Sequence, residues 1–148
     1  MKKNKTKNEK GITLVVLIIT IILLAILSVV TIRNVDIGSD IRDYNYMCAD
    51  IELLNSKIMA YYNEKGTIPT KGAAFNAKTI LGEQASNKDN DNYYQIDINS
   101  LVNVTLNYGG GTIENGDIYI MNEQSHEVYY LKGAKYENAL YHKHMDRN

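Results

Sequence analysis

The stretch from Ile12 to Ile32 constrains this chain more than any other feature: of its 21 residues 17 are apolar and none is charged. As a helix rising about 1.5 Å per residue it extends roughly 31 Å, the thickness of a bilayer's hydrocarbon layer. A helix that is apolar on every side has no stable place on the surface of a small domain in water; it needs lipid or other helices around it. Lys2, Lys3, Lys5, Lys7 and Lys10, with Glu9 among them, precede Gly11, and Arg33 closes the run on its far side. A secretory signal has an apolar region of only about 7–15 residues followed by a small-x-small cleavage site. This run is longer and ends Val29-Val30-Thr31-Ile32, so removal behind the helix is not expected. Residues 12–32 therefore read as a transmembrane helix. The lysine cluster belongs on the cytoplasmic side by the positive-inside bias, which places everything from Arg33 onward outside the cytoplasmic membrane.

The string KGITLVVLIITIILLAIL, Lys10 to Leu27, resembles the class III signal of type IV prepilins and type II secretion pseudopilins. These have a short basic leader, a glycine, an apolar-Thr-Leu motif and a long apolar helix. The resemblance implies a leader peptide of residues 1–11, cut by a membrane prepilin peptidase between Gly11 and Ile12, with N-methylation of Ile12 and with Thr13 and Leu14 as the next two positions of the motif. Loss of the leader changes the side-chain balance from -1 to -5, because five lysines and one glutamate leave with it. The resemblance further implies other pilin or pseudopilin subunits, the lipids of the cytoplasmic membrane and a pilus or secretion assembly machinery as partners. It also implies a cell-surface filament after assembly. Most subunits of the family carry a glutamate four residues after the new N-terminus, where it is thought to pair with a neighbour's terminal ammonium. This chain has Val16 there, a pattern found in some minor, tip-located members. The family's helix-bending proline is also missing, with Arg33 in its place.

Beyond the apolar run, Ile37, Ile41, Tyr44, Cys48, Ile51, Leu54, Ile58 and Tyr61 recur at steps of three and four, one face of an amphipathic helix. Residues 33–66 thus continue the helix, with Gly38 as the expected bend and Gly66 as its stop, and Pro69 prevents early re-entry. The segment YYNEKGTIPT, Tyr61 to Thr70, also resembles the end of the long pilin helix. In the remaining portion, 67–148, a short helix is expected over Ala73 to Leu81, ending at Gly82, and a polar loop over Glu83 to Asn92. Alternating patterns then predict strands around Tyr94-Ile98, Val102-Leu106, Ile118-Ile120 and Val128-Tyr130, with a tight connection at Asn122 to Ser125 and an edge hairpin around Glu137-Asn138. One face of this sheet needs cover, and the apolar stripe of the long helix is the available partner. The expected fold is α+β, pilin-like: a long N-terminal helix packed on a small antiparallel sheet.

Few residues suggest chemistry. A pI near 6.3 argues against nucleic-acid binding by the bulk of the chain, and one cysteine excludes a disulfide framework or a thiolate zinc cluster. Cys48, on the apolar stripe, reads as a small buried hydrophobe. His126, His142 and His144 read as surface residues, although His142 and His144 share one face of an extended segment. Asn87, Asp89 and Asp91 alternate as oxygen ligands do in calcium loops, with Asn92 at the sharp turn; the closing glutamate is absent, Ile98 occupying its place. A calcium ion is the one cofactor to consider, because some pseudopilins hold one, and a solvated turn is the alternative. Gly109-Gly110-Gly111 lacks the Lys-Ser/Thr of a phosphate loop and reads as a flexible connection. The 12 tyrosines read mainly as sheet and core residues, with an adhesive outer face as the other use. No nucleophile-base arrangement is present, so an enzyme is not expected. The expectation is a structural, minor subunit of a type IV pilus or pseudopilus, the alternative a monomeric membrane-anchored extracytoplasmic binding or adhesion module.

Overall fold

A computed structural model describes residues 6–145, together with their side chains except those of 6–12 and 28–37. The chain is α+β, a helix with an antiparallel sheet. Helix α1 is Thr6–Lys65. Contacts divide the chain into two units, Met1–Ser39 and Asp40–Asn148. The second unit thus begins within the segment 33–66, because the C-terminal part of α1 supplies one side of its core. In the first unit the described side chains of the apolar run extend from Thr13 to Leu27. Among the described residues no helix is long and apolar enough to cross a membrane.

Strands β1 (Thr70–Phe75), β2 (Tyr93–Ile96), β3 (Tyr119–Asn122) and β4 (Val128–Tyr130) form an antiparallel sheet in the order β1-β2-β3-β4. A second pair, β5 (Ala134–Tyr136) and β6 (Ala139–Tyr141), makes the expected hairpin. Its turn residues Glu137 and Asn138 have φ of 47° and 66°, as a two-residue turn matched to the strand twist requires. Tyr44, Met47, Ile51, Leu54 and Ile58 of α1 pack on one sheet face, against Ile96, Tyr119, Met121, Val128 and Tyr130. Gly66 ends α1 with φ 72° and donates its N–H to the Tyr62 carbonyl at 2.8 Å.

Four local expectations are corrected. Residues 73–81 are not one helix: Thr70–Phe75 is an edge strand, and only Lys78–Leu81 is helical, as α2. The Asn76 carboxamide accepts the Lys78 N–H at 2.9 Å and starts the turn late. Val102 to Leu106 is irregular despite its alternation, because Asn103 takes φ 53° and Asp50 captures the N–H groups of Asn107 and Tyr108. Ile98 belongs to a 3-10 turn, Ile98–Ser100, rather than to a strand. The sheet is covered on both faces instead of one. Ala77 and Leu81 pack with Tyr93, Ile118, Ile120, Tyr129 and Leu131 on the side away from α1, which is why all of β3 is buried.

Candidate functional site

Three aspartates organise the second unit. Asp50, on α1 and 2% exposed, lies on the helix face that meets the sheet. Its carboxylate accepts the Asn107 N–H (2.9 Å), the Asn107 side-chain amide (2.9 Å), the Tyr108 N–H (3.1 Å) and the Tyr119 hydroxyl (2.7 Å). A buried carboxylate is tolerated where donors surround it, and here they tie helix, loop and strand together. Asp89 accepts the Tyr93 hydroxyl at 2.7 Å, the Tyr129 hydroxyl at 2.8 Å, the Ser86 N–H at 3.1 Å and the Ser125 hydroxyl. Asp117 accepts the Tyr130 hydroxyl (2.6 Å) and the Gly109 N–H (3.1 Å).

These phenols are held neutral. Burial first, then the Asp50 carboxylate, pushes Tyr119 well above the usual tyrosine range; burial and Asp89 do the same for Tyr93 and Tyr129, and burial and Asp117 for Tyr130. Tyr108, raised mainly by burial and then by Asp43, is pushed up to about 12. Several of the tyrosines foreseen as core residues are therefore also hydrogen-bond donors that neutralise the cost of buried carboxylates.

At the end of β2 and β3, where their register stops at Gln95 with Ile120, a cleft of about 710 Å³ opens. Its walls include Lys71, Gln95, Asp97, Asn99, Tyr108 and the 109–111 glycines. The glycine run is not a flexible connection. Asp117 receives the N–H of Gly109 on its side chain and that of Gly111 on its carbonyl at 3.0 Å, and both glycines are packed so closely that a Cβ would meet its neighbours at 2.8 and 2.6 Å.

Of the residues singled out in sequence, Gly11 and Ile12 lie outside the described side chains. Thr13, Leu14 and Val16 are exposed on α1, Leu14 by 60% and Val16 by 54%. The calcium candidates do not converge: Asp89 is filled by protein donors, Asp91 pairs with Lys78 at 2.9 Å, and Asn87 is exposed. Among the described residues no group of three or more His, Cys, Asp or Glu side chains is placed to hold a metal ion. His142 is not a surface residue. It is 3% exposed, with Nδ1–H donating to the Tyr130 carbonyl at 2.9 Å and its N–H to the Gln84 side chain at 2.7 Å. His126 is exposed against the Tyr62 ring, 5.4 Å between centroids. His144 and Cys48 border a cavity of about 400 Å³ beside α1, and burial raises the Cys48 thiol and keeps it protonated.

Asp50 is the residue that sequence reading missed. Its spacing of three from Met47 and four from Leu54 puts it on the apolar stripe, which is the available signal. Comparison of the chain with models of protein families, with curated proteins and with solved structures gives no match in any of the three.

Proposed function

We propose that this chain is a minor subunit of a type IV pilus or pseudopilus, made as a precursor that is cut after Gly11 and methylated on Ile12. One observation supports the reading above the rest. The large apolar side chains of α1 between Leu14 and Leu27 are each exposed by 49% or more, on all sides of the helix. An apolar surface of this extent exceeds what soluble monomers keep in water, and it follows directly on the KGITL junction of basic and apolar residues. Held first in the cytoplasmic membrane and then among the helices of other subunits, the segment exchanges lipid for protein contacts. That exchange carries little hydrophobic gain, so an assembly machinery must drive it. The role is mechanical rather than catalytic, and the second unit, on the outer side, carries any recognition.

Mass spectrometry of the protein purified from its native membrane is the test. The expected N-terminus is Ile12 with one methyl group, about 14 Da above the unmodified mature chain, with the lysine-rich leader gone. A chain that retains Met1 or any part of the leader overturns the proposal, and describes a binding module on an uncleaved anchor instead.

A further inference from the structure

The cleft at the divergent end of β2 and β3 combines a rigid floor with polar groups that the fold does not use. Asp50 fixes Asn107 and Tyr108, and Asp117 fixes Gly109, Gly111 and the Tyr130 hydroxyl. Against this floor stand the side chains of Lys71, Gln95, Asp97 and Asn99, which make no hydrogen bond or ion pair within the described residues.

Gly110 adds an independent observation. Gly109 has φ 93° and lies under the Tyr119 ring, and Gly111 is wedged against Asn115 and Asp117, so both positions require glycine. Gly110 has no positive φ, and a Cβ there would meet nothing within 4 Å. Neither conformation nor packing explains the missing side chain. What its absence does is leave the cleft wall as bare backbone, which allows close approach by a ligand.

The lining selects among ligand classes. An anion would meet a single ammonium, Lys71, with Asp97 and Asp117 in the same cleft. A metal ion would lack ligands, since the Asp117 oxygen Oδ1 already accepts the Tyr130 hydroxyl and the Gly109 N–H. An extended peptide needs free backbone groups, but the Asp97 N–H is given to the Pro69 carbonyl at 2.9 Å and the Gly111 N–H to Asp117. A neutral polyhydroxyl ligand needs acceptors and donors together, planar carboxylate and amide groups to bridge neighbouring hydroxyls, and an apolar surface for its ring. Asp97, Gln95, Asn99 and Lys71 supply the first two, and the half-buried Tyr108, whose ring also stacks on Tyr130, with Ile98 the third.

We propose that this cleft is a saccharide-binding site, in which Asp97, Gln95, Asn99 and Lys71 engage hydroxyl groups beside Tyr108 and the bare backbone at Gly110 admits the sugar ring. The site lies wholly within the unit Asp40–Asn148, so it stands or falls independently of processing at Gly11.

Saturation-transfer NMR on the full-length chain, held in a detergent without a sugar headgroup, tests the site with glucose, galactose, N-acetylglucosamine, lactose and cellobiose, and with glucose 6-phosphate as the anionic control. At least one neutral sugar is expected to give a saturable signal. Gly110→Leu, which adds a side chain to the cleft lining at a position where a Cβ meets nothing within 4 Å, should weaken binding at least about tenfold at an unchanged unfolding temperature. If Gly110→Leu lowers the unfolding temperature, the double variant Gln95→Ala/Asn99→Ala decides, since neither side chain has an internal partner. No signal from any sugar, a signal from the phosphate alone, or a signal that survives the deciding variant overturns the proposal.

Discussion

Asp50 is where a single atom change should matter most, because one carboxylate there serves a helix, a loop and a strand. Asp50→Ala leaves the Tyr119 hydroxyl and two backbone N–H groups facing a void, and should cost about 3 kcal/mol in chemical denaturation. Asp50→Asn keeps one acceptor oxygen and should cost about 1–2 kcal/mol. The exposed pair Lys78–Asp91 provides the contrast: Asp91, with 72% of its side chain accessible, should tolerate alanine within about 0.5 kcal/mol. The buried phenols set a pH limit in the same way. Unfolded tyrosines ionise near pH ~10, while folded Tyr108 does so only at about 12 and Tyr93, Tyr119, Tyr129 and Tyr130 higher still. A raised folded value favours the folded state while the phenol is protonated, so this contribution is whole below pH ~10 and is lost as the pH climbs through the folded values. Tyrosinate absorbance at 295 nm is therefore expected to rise together with the loss of β-sheet circular dichroism above pH ~10. Separate titration of these phenols in an intact fold would contradict the arrangement.

At the scale of elements, the part of α1 within the second unit is held to the sheet by a stripe whose members are not equal. Leu54 is fully buried whereas Ile41, on the same sequence periodicity, is 41% exposed. Leu54→Ala should thus cost about 2–5 kcal/mol and Ile41→Ala less than about 0.5 kcal/mol, read from the denaturation midpoint of the full chain. The periodicity of α1 was legible in sequence because a helix buries one face, and the final hairpin because Glu137-Asn138 interrupts two short extended pieces. Strand β1 was not. Its sequence TKGAAF has no alternation, since an edge strand that is exposed along most of its length is under no pressure to alternate. The opposite failure is Val102 to Leu106, where alternation is present but no strand forms. Val104 and Leu106 pack against the core while Val102 stands 71% exposed, so the pattern records partial burial rather than pairing. Covering both sheet faces also hides information: with all of β3 buried, alternation cannot report which face meets α1 and which meets Leu81. The cleft was illegible for a related reason. Gln95 and Asp97 read as the polar side of a strand and Gly110 as part of a connection until the end of the β2–β3 register places them around one opening.

Across the whole molecule charge and apolar residues fall in separate blocks, and the net charge of -1 hides this. Residues 1–11 carry five lysines and one glutamate, residues 12–32 no charge, and residues 33–148 an excess of acid, 16 against 11. In the proposed subunit the first block stays in the cytoplasm, the second passes from lipid to fibre, and the acidic third block lies outside. Val16 then becomes the position that sets how the subunit enters a fibre. A carboxylate in an apolar helix is costly unless it is paired, and in the family to which the proposal assigns this chain the partner is a neighbour's terminal ammonium. Without that carboxylate, entry relies on packing alone, and the native chain is expected at low abundance in filaments sheared from cells. Val16→Glu supplies the missing partner. A gain of about tenfold in the incorporated share corresponds to ~1.4 kcal/mol, close to the low end of a charge-assisted hydrogen bond. Quantifying the subunit in sheared filaments against its membrane pool checks this. Abundant native incorporation that Val16→Glu leaves unchanged would remove the minor-subunit assignment while leaving the cleavage at Gly11 to be judged by the mass of the mature chain.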